Sequence, residues 1–134
     1  MQKSISLLTG LLITFSTLSL AQDFKVYSGA KLDDKASREA SAAVPGKQSE
    51  VYTTSDSLDK VYAFYKGVYK EFSMRSTAPT LPSGQQVKWH FFILDGGTTL
   101  ANSKLWMKIQ HPYVGGADEK DVRDVTIIQT VREK

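Results

Sequence analysis

The segment formed by residues 58–72 constrains the fold more than any other part of the chain. Its apolar residues recur at offsets of 0, 3, 4, 7, 10, 11 and 14, which is one continuous face of a helix. These residues are Leu58, Val61, Tyr62, Tyr65, Val68, Tyr69 and Phe72. Asp56 is a suitable N-cap, so we predict a long helix over residues 56–72 that packs its aromatic face on a sheet. The alternative is that these tyrosines form a platform for a ligand.

A second, shorter helix is predicted from Asp33 or Asp34 to Ala43. The intervening residues are rich in helix formers, and an aspartate at the start can cap the first turn. Val44, Pro45 and Gly46 follow and stop the helix.

Alternating or β-prone patterns predict the strands. They occur at residues 23–27 (a possible edge strand), 50–54, 87–94, 104–110 and 122–131. Helices followed by a run of strands are typical of an α+β fold. We therefore expect one long and one short helix packed on a mainly antiparallel sheet of about four strands.

The first 21 residues have the pattern of a secretory signal peptide. A short positive start is followed by a mostly apolar run and by small residues at Ser19 and Ala21. The apolar run is shorter than the ~20 residues that span a bilayer, although an uncleaved anchor is the competing interpretation. We expect a cleaved leader at residues 1–21 and a single domain at 22–134, exported to a periplasm or to the medium and not attached to a membrane.

Charge and composition exclude several classes of function. Loss of Lys3 with the leader lowers the net charge from +3 to +2, with both signs interspersed, which does not favour nucleic-acid binding. The chain has no cysteine, so thiol catalysis and cysteine-ligated metals are excluded.

The alternation in the predicted strands suggests an interaction face. Val87, Trp89, Phe91 and Ile93 point to one side, which we assign to the long helix. The opposite side would carry His90, Phe92 and Trp106 beside Lys104 and Lys108, which is too apolar for a solvated surface. The first hypothesis is a non-catalytic module that uses this face to bind an unknown protein partner or to form a homo-oligomer. The alternative is that another part of the chain covers the face.

Two further hypotheses remain. In the second, the protein carries a small apolar ligand between the long helix and the sheet, in a pocket lined by Tyr62, Tyr65, Tyr69 and Trp89. In the third, it is a small hydrolase in which His90 or His111 acts with a nearby aspartate. Ser57 and Lys60 have the Ser-x-x-Lys spacing of penicillin-recognising enzymes, but the partner motifs are missing. We predict no specific catalytic residue, no cofactor and no metal site.

Overall fold

A computed structural model describes residues 24–74, 77–116 and 118–134. The predicted leader therefore lies outside the described residues. In chain order the elements are β1 (Lys31–Leu32), α1 (Asp34–Ala43), β2 (Lys47–Thr54), α2 (Leu58–Lys66), β3 (Lys70–Phe72), β4 (Lys88–Ile93), β5 (Leu105–His111), β6 (Tyr113–Gly115), β7 (Asp121–Arg123) and β8 (Thr126–Glu133). In the described part of the chain, no helix has the length and apolar character needed to cross a membrane.

Helix α1 forms where the sequence predicts it. The Asp33 side chain accepts a hydrogen bond from the Ala36 N–H at 2.9 Å, which caps the first turn. The helix ends at Ala43, and Gly46 then adopts a positive φ of 82°, a conformation that suits glycine best. The predicted short helix is confirmed.

Helix α1 also covers the outer edge of β2. The Ser41 hydroxyl accepts from the Ser49 N–H at 2.9 Å and donates to the Ser49 carbonyl at 3.1 Å. One turn earlier, the Ser37 hydroxyl accepts from the Val51 N–H at 2.8 Å. Two serines spaced i, i+4 thus satisfy strand groups that would otherwise face solvent.

Helix α2 is shorter than the sequence predicts. It begins after Ser57, whose side chain accepts from the Lys60 N–H at 3.3 Å, and it ends at Lys66. The prediction of a helix over residues 56–72 is wrong, because Gly67 is the C-cap and the chain then enters β3. Glycine disfavours continuation of a helix by ~1 kcal/mol, and β3 gains a pairing with β4 that places Phe72 opposite Phe91.

The main sheet has six strands in the order β1-β2-β8-β5-β4-β3, and every neighbouring pair is antiparallel. Strands β6 and β7 form a separate two-stranded sheet. The α+β architecture with two helices is as expected, but the prediction of about four strands is wrong. It omitted β1, β3 and β6, which have two or three residues each. Residues 24–27 form no strand, and the predicted strand at 122–131 is divided between β7 and β8.

The two helices cover opposite faces of this sheet. Helix α2 places Leu58, Val61 and Tyr65 in one core with Phe92, Met107, Ile109 and Ile128. On the other face, Ala36 of α1 lies in a smaller core with Val51, Ile127 and Tyr113, over β2 and β8. The predicted assignment of the long helix to the side of Trp89 and Phe91 is wrong, since α2 lies over Phe92.

Candidate functional site: the tryptophan face

The strand register divides the predicted interaction face. Phe92 pairs directly with Met107, whereas Trp106 pairs with Ile93, and directly paired residues share a face. His90 and Phe92 therefore lie under α2, and Trp106 and Lys108 lie on the opposite face. The predicted grouping of these residues on one face is wrong, because the hairpin register is one residue away from the assumed one.

Phe92 is fully buried, while His90 remains partly exposed. Lys104 precedes β5, and its N–H donates to the Asp95 carboxylate at 2.6 Å. The role of each residue in binding a partner stays a prediction.

The tyrosines of the predicted pocket lie on the α2 side, but Trp89 does not. Tyr65 is completely buried, and its ring stacks on Phe24 and Tyr69 at centroid distances of 6.1 and 5.9 Å. Its hydroxyl donates to the Lys25 carbonyl at 2.8 Å, and burial raises the pKa of this phenol. Side chains that are 0% exposed fill the space between helix and sheet: Val61, Tyr65, Phe92, Met107, Ile109 and Ile128. Because this space is filled and Trp89 lies on the other face, the three tyrosines and Trp89 do not line one pocket.

Two tryptophans dominate the face that α2 leaves open. Trp89 contacts Phe91 edge to face at a ring distance of 5.5 Å, and Trp106 contacts the same ring at 6.0 Å. Phe91 is 6% exposed and Ile93 is 4% exposed, although α1 packs on β2 at the other end of the sheet. The half-buried indoles thus form the cover that a helix would otherwise supply. We call this surface, formed by Trp89, Phe91, Trp106 and Lys108, the tryptophan face.

Lys108 places a cation on this aromatic surface. It lies between Phe91 and Gln129 in the sheet, and its Nζ is 5.9 Å from the centre of the Trp89 ring. Burial lowers the pKa of the amine, because a desolvated ammonium is disfavoured. Strands β3, β4 and β5 place no carboxylate on this face, while Lys70, in register with Ile93, adds a second cation. The face therefore combines apolar area with uncompensated positive charge.

A cleft of about 450 Å³ adjoins the tryptophan face, where β3 and β4 meet residues 73–74 and 77–78. Six of its lining side chains are apolar: Phe72, Met74, Ala78, Val87, Trp89 and Phe91. The other six lining residues are polar or charged: Glu71, Ser73, Thr77, Gln86, Lys88 and His90. A concave surface that combines apolar walls with polar groups is typical of a ligand site.

A hydrogen-bonded cluster connects Glu71 and His90, which line the cleft, to helix α2. The Tyr62 hydroxyl donates to Glu71 Oε1 at 2.6 Å, and His90 Nδ1 lies 3.1 Å from Glu71 Oε2. The Tyr62 and His90 rings stack at 3.9 Å. Burial opposes ionisation of Glu71, but hydrogen bonds from Tyr62 and His90 outweigh it and lower its pKa. The bond to Glu71 raises the pKa of Tyr62.

The cluster lacks the arrangement of a serine hydrolase. His90 bonds to Glu71, and His111 Nε2 lies 2.7 Å from the Asp124 carboxylate. Within the described ranges, neither histidine has a hydrogen bond to a serine or threonine hydroxyl. The same part of the chain holds no group of three or more His, Asp or Glu side chains that could bind a metal ion.

Sequence reasoning missed Phe72 and Lys70 because it placed both on the long helix. The available signal was Gly67, after which Lys70 and Phe72 also fit a strand in which they share a face. Comparison with known proteins found no matching family model, no matching curated protein and no matching solved structure. We therefore infer the function from the chemistry of the tryptophan face and the cleft.

Proposed function

We propose that the protein is an exported, non-catalytic binding domain that recognises an acidic protein partner through the tryptophan face. The observation that carries the proposal is that Trp89 and Trp106, with the Lys108 amine beside the Trp89 ring, cover the β4 and β5 part of a sheet face whose other end, over β2 and β8, is covered by helix α1. Tryptophan is enriched among the residues that dominate protein interfaces. The signal-peptide pattern of residues 1–21 supports export.

Charge favours a different protein over a second copy of this chain. A symmetric dimer through the tryptophan face would place the Lys70 and Lys108 side chains of both copies, four positive charges, in one interface. Like charges that meet across an interface are unfavourable, whereas an acidic surface would neutralise both lysines. The sequence left open a protein partner or a homo-oligomer, and we therefore propose a complex with a different protein.

The cleft beside Trp89 favours a second candidate function, carriage of a small apolar ligand. Its volume of about 450 Å³ exceeds the roughly 300 Å³ at the lower end of ligand sites. Phe72, Val87 and Phe91 supply apolar walls there, whereas the interface between α2 and the sheet is filled. The proposed carrier site thus moves to the opposite face from the one that the sequence indicated.

The first candidate can be tested with two charge reversals. Residues 22–134 would be immobilised in three forms: wild type, Lys108→Glu and Lys60→Glu. Lys60 is an exposed residue of α2, so Lys60→Glu is a control with the same change of charge at a site away from the tryptophan face. Each would be incubated with the extracytoplasmic fraction of the native host. We expect an acidic protein to bind wild type and Lys60→Glu and to be lost from Lys108→Glu.

Purified complex should also shift the emission of the two tryptophans, both of which lie at the proposed site. Equal retention by both variants, or complex formation without a change in tryptophan emission, contradicts the proposal. Native mass spectrometry of the protein from its own source tests the second candidate, which predicts a bound small molecule.

A further inference from the structure

We propose that the Lys108 amine is an anion-binding group, and that the ligand of the adjoining cleft is an apolar molecule carrying a single negatively charged group. This inference rests on the second candidate function and names the chemistry of its ligand. It concerns a carboxylate, sulfonate or similar anion on a small amphiphile.

The first step is that, among the described residues, the Lys108 amine has no hydrogen-bond acceptor or counter-ion. An ammonium has three N–H donors and needs hydrogen bonds or an opposite charge when it leaves water. In the described part of the chain, the contact made by this amine is with the Trp89 ring, and no carboxylate lies within ion-pairing distance of it. Its neighbour Gln129 directs its amide nitrogen to Ser49 at 3.5 Å.

The second step is that the site is apolar enough to strengthen an ion pair. The lysine lies between Phe91 and Gln129 and beside an indole, so an anion bound there would be partly shielded from water. A charge pair in such surroundings interacts more strongly than one in bulk solvent. The lowered pKa of Lys108 has the same cause, and a bound anion would oppose that shift.

The third step is the position of the cleft. Trp89 is both a wall of the cleft and the ring beneath the Lys108 amine. The Lys108 amine does not itself line the cleft, so a ligand with its apolar part against Phe72 and Val87 would have to extend across the Trp89 indole to pair with it. A long apolar molecule without charge would fill the cleft but leave the amine unpaired.

The test uses two probes that differ by a single charge. They are 8-anilinonaphthalene-1-sulfonate and neutral N-phenyl-1-naphthylamine, which share the same aromatic framework. Binding is followed by energy transfer from tryptophan, and the chain has two tryptophans, both on this face. We expect the sulfonate to bind wild type roughly tenfold more tightly, as a charge-assisted hydrogen bond predicts.

Lys108→Met keeps an unbranched apolar side chain and removes the charge, so it should reduce this preference to about one. Lys60→Met should preserve it. Added salt should weaken binding of the sulfonate to wild type and leave the neutral probe unaffected, which tests the charge even if Lys108→Met does not fold.

Equal affinity of the two probes for wild type, or an unchanged preference in folded Lys108→Met, overturns the anion site while ligand carriage stands. Absence of binding by both probes contradicts the inference and the carrier function together. A salt dependence shared by both probes also counts against an ion pair at Lys108.

Discussion

Replacement of Phe92 by alanine distinguishes the observed register of β4 and β5 from the register that the alternation of the sequence suggested. If Phe92 were part of an open interaction face, its removal would change stability little. In the structure its ring is 0% exposed and contacts Tyr62 and Tyr65 at centroid distances of 6.2 and 6.3 Å. The substitution should therefore remove an aromatic side chain from the centre of the α2 core.

The expected cost follows from the area lost. An aromatic side chain buries at least ~150 Å², which at ~25 cal/mol per Å² corresponds to about 4 kcal/mol. Measured costs of Phe→Ala in protein cores, about 3–5 kcal/mol, agree with this value. Because native domains are stable by only about 5–15 kcal/mol, Phe92→Ala should lose between about a quarter and most of the free energy of unfolding.

Guanidinium unfolding measures the change, and the two tryptophans provide the signal from the opposite face of the sheet. Phe92→Leu, which retains most of the apolar volume, should cost less than about 1.5 kcal/mol. Lys60→Ala on the exposed side of α2 should change the free energy of unfolding by no more than about 0.5 kcal/mol. A cost below about 1 kcal/mol for Phe92→Ala would refute the placement of this ring beneath α2.

Asp95→Ala should lower the free energy of unfolding by about 1 kcal/mol at neutral pH, because the exposed carboxylate accepts from the Ser103 hydroxyl and from two backbone N–H groups. Hydrogen bonds, the strongest from the Ser103 hydroxyl, hold the pKa of Asp95 at about 2. The difference in free energy of unfolding between variant and wild type should therefore be complete above the unfolded pKa near ~3.9 and be lost as pH falls through 2. A pH-independent difference in urea titrations would contradict this. Ser37→Ala with Ser41→Ala should cost about 1–3 kcal/mol and accelerate amide exchange in β2, since two strand N–H groups exchange a serine acceptor for water; unchanged exchange argues against this edge contact. Glu71→Gln should lower the pKa of Tyr62 towards ~10 in an ultraviolet titration, and an unaltered titration would exclude the ionised hydrogen bond.

Local signals in the sequence were sufficient for α1 but not for the end of α2. The Asp33 cap and the stop at Gly46 lie within a few residues of the helix that they delimit. The apolar spacing of α2 continues past Gly67 as far as Phe72. Residues 70–72 therefore fit a helix or a strand equally well. Pairing with β4, which is distant in sequence, stabilises the strand over the helix.

The candidate site was only partly predictable for a related reason. Alternation within a strand shows which residues share a side, and it correctly grouped Trp89 with Phe91. It does not show how two strands align across the eleven-residue connection, residues 94–104, between β4 and β5. A shift of one residue moved Trp106 to the other side of the sheet, away from Phe92, and the grouping failed there.

The serine pair of α1 has a consequence for how chains of this kind could polymerise. Growth of a filament by strand addition requires an accepting strand at each end of the sheet. At one end the outermost strand, β1, has only two residues, and beyond it hydroxyls of Ser37 and Ser41 already occupy the backbone groups of β2 that an incoming strand would use. Any association through the other end, beside β3, would therefore terminate at two molecules.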